Sequence, residues 1–234
     1  MAQRGFPTRF ATARPRGRWV LLGLILVSTG VELALQGADH LLWGSVLWRP
    51  LAWQYGGFWA GLLRDWRPNY AAQPGVMFLT YALLHTGLGH LTGNMACLAV
   101  LGDRVRHRIG GGGLFWLYLV SALGGALGFG LLGPSAAPMI GASGAIFGLA
   151  GALTVWDIRQ QRAGNRWTGN RWAGNRWAGN RWARAALILL ALVGLNLVIW
   201  RTQAGNLAWQ THLGGLVAGA GFAAYPRRLA KTRS

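Results

Sequence analysis

Six apolar runs, each about as long as a bilayer is thick, constrain this chain more than any other feature. They fall at 19–35, 76–101, 114–132, 140–156, 185–200 and 207–225, with arginines gathered in the gaps. An α-helix needs ~20 mostly apolar residues to cross the hydrocarbon core, so six spans leave room for loops and short tails but not for a separate soluble domain. Charged residues make up 12% of the 234, against ~25% in ordinary soluble domains, yet the net charge is +18 because nearly all of them are basic. This combination excludes a disordered chain and disfavours a soluble globule. The expected fold is an all-α integral membrane bundle of six helices over 19–226, between an arginine-rich tail at 1–18 and a basic tail at 227–234.

Alternate gaps differ sharply in charge. Of the 23 Lys and Arg residues, nineteen lie in the two tails, around Arg104 to Arg108, and between Arg159 and Arg184. The other side holds Arg49, Arg64, Arg67 and Arg201. Basic residues collect on the cytoplasmic side, so both termini are expected there, in a bacterial-type inner membrane, which an even number of spans permits. The gap at 37–75 then faces outward. It is too polar and too broken by proline to span, but Trp43, Trp48, Trp53, Trp59 and Trp66 suit an interfacial loop. The arginines before Trp19 resemble the start of a secretory signal. The apolar run is long, however, and residues 32–38 offer no A-x-A cleavage site, so an uncleaved first helix is expected.

A repeat occupies 164–183, GNRWT followed by three copies of GNRWA. A period of five turns ~140° per unit around an α-helix, so its arginines share no face. It reads as a low-complexity cytoplasmic loop; contact with anionic lipid is the sharper alternative, and no nucleic-acid partner is expected. Cys97 is a single cysteine and forms no internal disulfide.

Polar groups within membrane helices are costly and therefore point to function. Three clusters qualify. His85 and His90 precede Asn94 in the second run, where the helix proper is expected to begin near Leu88, and residues 90 and 94 share one helix face. Gly141, Ser143 and Gly144 follow a proline-bearing loop and open an apolar helix whose first N–H groups lack intrahelical partners, a setting suited to a developing oxyanion. His212 lies just before Gly215 and Gly219, a small-residue face that lets a second helix approach closely. By the deduced topology all three clusters lie toward the outer ends of their spans. A serine and a neutral histidine at one depth, with further donors beside them, can carry out acyl transfer.

Over about 78–225 these motifs resemble, in order, those of the rhomboid family of intramembrane serine proteases: H-x4-H-x3-N at His85, His90 and Asn94, GxSG at Gly141 to Gly144, and HxxGxxxG at His212 to Gly219. The resemblance implies Ser143 as nucleophile and His212 as general base, with His90, Asn94 and the Ser143 backbone N–H forming the oxyanion hole. His85 has a supporting role. It implies transmembrane proteins as substrates, in contact with membrane lipid, and requires neither cofactor nor metal. The His and Asn donors include no carboxylate or cysteine at zinc spacing. Four positions depart from the family pattern: Val76 and Met77 stand where many members have Trp-Arg, Arg106 stands for a glutamate, and Phe147 for a tyrosine. Two rival readings are a proteolytically inactive rhomboid-like protein that binds membrane clients, and a small transporter, for which Glu32 is the one candidate ionisable group within a span.

Overall fold

The computed structural model describes residues 17–167, 194 and 208–225. Residues 1–16 of the first tail, the whole second tail, the repeat beyond 167 and all but one residue of the fifth apolar run lie outside the described residues. Among those described there are helices and no strands: α1 (Arg18–Asp39), α2 (Trp48–Gly56), α3 (Gln73–Thr80), α4 (Leu88–Leu132), α5 (Ser143–Trp167) and α6 (Trp209–Ala224). Short 3-10 turns lie at Ala60–Leu63 and Tyr81–Leu83. By length and composition α1 and α4 are apolar enough to cross a membrane.

α4 is two helices in succession. Gly110 interrupts it at φ 74°, ψ 176°, in the region of positive φ that glycine enters without steric cost. An unbroken helix of 45 residues would be ~65 Å long at 1.5 Å per residue. Yet Gly141, a short loop beyond its C-terminus, packs on His90 near its N-terminus, so the chain turns back at Gly110. α1 lies antiparallel to the first half: Gly17 meets Gly111, Leu21 meets Gly102, and Gln36 approaches Gly87. Arg18, Arg104, Arg106 and Arg108 therefore gather at one end of the molecule, and His85 and His90 lie at the other.

Leu98 and Val105 from the first half of α4, Leu114 and Leu117 from the second, and Ile146 and Leu149 from α5 are buried together, with Leu21 of α1 beside them. Apolar side chains gain little from leaving lipid for protein, so helix association in a bilayer relies on close fit and small residues. α6 supplies that fit on two faces. A Cβ at Gly215 would overlap the Gly144 carbonyl, and one at Gly219 the Gly148 carbonyl, so the expected small-residue face is pressed against α5. Gly214, on the neighbouring face, meets Gly124 and Gly128 of α4, a second glycine pair at spacing four.

The long helix starts at Leu88, as the sequence suggests, while 76–83 belong to α3 and a 3-10 turn. Met77 is fully buried among Phe58, Tyr81, Phe129 and Met139, which gives the apolar residue there a packing role. Phe58 and Met139 exchange backbone hydrogen bonds of 3.0 and 2.9 Å, tying the segment between α1 and α3 to the loop before Ser143. One boundary needs correction: α5 continues through Trp167, so the first GNRW unit, read from sequence as loop, is helical. Gln160, Gln161, Arg162 and Ala163 are good helix formers and carry the helix past the end of the apolar stretch.

Candidate active site

α5 begins at Ser143. The approach to it is set by Gly141, whose φ of 121° and whose position against the His90 ring, with Cε1 2.8 Å from where a Cβ would stand, both exclude a side chain. The Gly141 N–H donates to the Tyr81 carbonyl at 2.9 Å, and the Tyr81 hydroxyl donates to the Ala122 carbonyl at 2.7 Å. Tyr81 thus ties the serine loop to the second half of α4.

His212 sits in the first turn of α6, and the glycine contacts with α5 bring its Nε2 to 2.8 Å from Ser143 Oγ. Its ring lies parallel to that of Phe147, one turn after the serine, with centroids 4.3 Å apart and planes 11° apart. Phenylalanine at this position therefore supplies a stacking surface for the imidazole. Both dyad residues are buried, Ser143 to 8% and His212 to 5% exposure. An imidazole nitrogen within hydrogen-bond distance of a hydroxyl, shielded from bulk water, can accept its proton as the oxygen attacks a carbonyl.

His90 and Asn94 lie in the first two turns of α4, on the face toward Gly141. The Asn94 amide donates to the His90 carbonyl at 3.0 Å. The His90 Nδ1 faces the backbone N–H and hydroxyl of Thr86, at 3.5 and 3.2 Å. His85 is fully buried, its ring edge-on to that of His90 at 5.1 Å between centroids. The structure thus assembles Ser143, His212, His90, Asn94 and His85 around one loop, while Gly144, Gly215 and Gly219 let α5 and α6 meet.

The Rhomboid domain profile matches residues 73–228, two thirds of the chain and the region that holds every one of these residues. The chain belongs to the rhomboid family. RHOMBOID-like protein 2 of Arabidopsis thaliana is 30% identical over 162 residues, covering 66% of this chain and 43% of its own length. RHOMBOID-like protein 6, mitochondrial, of the same plant is 28% identical over 163 residues, covering 66% of this chain and 45% of its own. Rhomboid protease GluP of Bacillus subtilis (strain 168) is 39% identical over 75 residues, which is 32% of this chain and 14% of that protein. The chain therefore spans less than half the length of the curated relatives it matches. Together with the apolar helices, the rhomboid domain marks a membrane protein.

Sequence reasoning missed three residues that shape this rhomboid site. Tyr81 was legible only as part of an apolar run. Glu32 of α1 is fully buried and receives both terminal nitrogens of Arg49 from α2, at 2.9 and 3.1 Å. Arg49 also donates to Asp39 at 2.6 Å and to the His85 carbonyl at 3.1 Å. A lone carboxylate in the first apolar run and three arginines in the following gap were a signal of opposite charges seeking each other, though nothing in the spacing singled out Arg49.

Proposed function

We propose that this rhomboid protein is an intramembrane serine endopeptidase that hydrolyses peptide bonds in or beside transmembrane segments of other membrane proteins. The observation that carries the reading is the buried 2.8 Å contact between Ser143 Oγ and His212 Nε2 at the start of α5. Ser143 attacks the scissile carbonyl as His212 takes its proton, and His212 then returns that proton to the leaving amine. The acyl-enzyme is hydrolysed by water activated by the same histidine. Negative charge on the tetrahedral oxygen is met by His90, Asn94 and the Ser143 backbone N–H. Likeness to GluP, a rhomboid protease, supports the activity.

The same proposal includes the six-span bundle, with 185–200 as the fifth helix, and both termini in the cytoplasm. The gathering of Arg18, Arg104, Arg106 and Arg108 at the end away from Ser143 supports that orientation, since basic residues favour the cytoplasmic face.

The test compares purified wild type, Ser143→Ala and His212→Ala in liposomes, cleaving a transmembrane reporter with small residues near the membrane surface. Cleavage by wild type alone is the expected result, together with fluorophosphonate labelling that requires both residues. Folded wild type that neither cleaves nor labels would replace the protease reading with that of a client-binding protein.

A further inference from the structure

The peptide group joining His85 to Thr86 is engaged at both ends. Its carbonyl accepts a hydrogen bond from Arg49 Nη1 at 3.1 Å. Its N–H donates to His90 Nδ1 at 3.5 Å, a long bond that the Thr86 hydroxyl reinforces from 3.2 Å. A backbone N–H can only donate, so Nδ1 is the accepting nitrogen of a neutral His90 and the ring proton sits on Nε2. Nε2 is the nitrogen turned toward the serine loop, 3.0 Å from where a Cβ on Gly141 would stand.

We propose that Arg49 is a positioning residue that fixes the His90 tautomer through this single peptide group, so that Nε2–H rather than a bare lone pair faces the oxyanion formed at Ser143. The inference rests on the protease reading for its kinetic consequence but not for the tautomer itself.

The geometry of Arg49 leaves it little freedom. Its guanidinium spends Nε on Asp39 and both terminal nitrogens on Glu32, and Nη1 reaches the His85 carbonyl as well. Gln36 donates to the same Glu32 carboxylate at 2.9 Å, so the acceptor is itself oriented. The guanidinium is a planar fork whose donors keep fixed directions, and once the two carboxylates have set its plane the remaining donor points at one place. A cation on the carbonyl also polarises the peptide and makes the N–H at its far end a better donor. The chain of contacts thus runs from Glu32 of α1 through Arg49 of α2 into the first rhomboid motif, at the His85 carbonyl and the His90 ring. Without it, Nδ1 and Nε2 compete for the proton, and a ring protonated on Nδ1 presents a lone pair to a negatively charged oxygen.

The experiment uses the full-length protein in detergent micelles, with 15N-labelled histidine and the ring nitrogens of His90 assigned by its absence in His90→Ala. Two variants are compared with wild type. Arg49→Lys keeps a cation beside Glu32 but has a single ammonium and loses the fork. The double substitution Glu32→Met with Arg49→Met removes the fully buried carboxylate together with its cation and leaves Asp39, whose side chain is 29% exposed, to water. Wild type is expected to carry the proton on Nε2, and both variants to shift toward Nδ1–H. In the reporter assay kcat is expected to fall roughly 10- to 100-fold in each, at or below the lower end of the ~100- to 1,000-fold range for losing an oxyanion donor outright, with KM unchanged. In a His90→Ala background the same substitutions are expected to have no further effect on kcat, which a merely structural role would not produce. A proton on Nδ1 in wild type, an unchanged tautomer in a folded variant, or a kcat loss that persists without His90 would each overturn the proposal. Failure of wild type to cleave would count against the protease reading alone, since the tautomer is read without substrate.

Discussion

The two sides of this site are held by opposite kinds of force. On the α5–α6 side, Ser143 and His212 are brought together by glycines whose missing side chains let carbonyl and Cα meet directly. On the α1–α4 side, His85 and His90 are held by Arg49, Glu32 and Asp39, charges removed from water and satisfied by one another. Close packing is short-ranged and steep, so the glycine side should tolerate almost no added volume. The charged side is costly to assemble and stays in balance only while each partner is present.

The largest effect is expected from breaking the packed side. Gly215→Val places two methyl groups where the Gly144 carbonyl stands, and that contact is backbone against backbone, with no flexible side chain to yield. The variant should lose Ser143-dependent cleavage entirely and unfold at lower temperature. A variant with wild-type stability and activity would show that α5 and α6 are not pressed together as described.

Next in size is the removal of one charge from the other side. Glu32→Ala leaves Arg49 with Asp39 as its remaining carboxylate while its side chain is 12% exposed. Breaking a buried pair typically costs ~3–5 kcal/mol, and the surviving Asp39 bond argues for about 3. Replacing Glu32 and Arg49 together by methionine should recover most of that loss. Thermal unfolding of the single and double variants measures both, and a double variant less stable than the single one would show that the pair stabilises the fold by more than mutual compensation.

These two sides were not equally legible in the sequence. GxSG and HxxGxxxG, with the helix starts around them, depend on local rules: a proline-bearing loop ahead of the serine, and glycines four apart that mark one face. Those rules placed Ser143, His212 and their glycines before any coordinates. The second pair, Gly124 and Gly128, was hidden because glycines crowd the whole segment from 124 to 130. The charged side depends on long-range pairing. Glu32 and Arg49 are separated by the end of α1 and the start of α2, and the four short elements between α1 and α4 have no shared periodicity from which their packing could be read. The turn at Gly110 was visible only as four successive glycines. Its positive φ is what converts one long apolar stretch into two antiparallel helices.

Proton supply sharpens the contrast further. His212 must be neutral to accept the Ser143 proton, so cleavage should be full above its pKa and fall about tenfold for each pH unit below it. A single proton on His212 is enough to remove the base without breaking any packing contact, so the first loss on acidification is expected in kcat and not in fold. A pH–rate profile set beside a pH–unfolding profile separates the two, and unfolding that precedes the loss of rate would reverse this order.

The smallest expected effect concerns an aromatic ring that touches the dyad. Phe147 stacks on His212 at 4.3 Å, nearly parallel, and no carboxylate has to orient the imidazole if a flat apolar surface already fixes its plane. An aromatic pair of this kind contributes ~0.5–1.5 kcal/mol beyond the area it buries. Phe147→Leu keeps apolar bulk but removes the flat face, so kcat should fall about 2- to 10-fold, the rate equivalent of that energy, with KM near wild type. Phe147→Tyr preserves the face and should retain the rate. If leucine were as fast as phenylalanine, the Phe147 face would not be what fixes the His212 plane, and the glycine packing that sets the first turn of α6 would carry more of the geometry of the dyad.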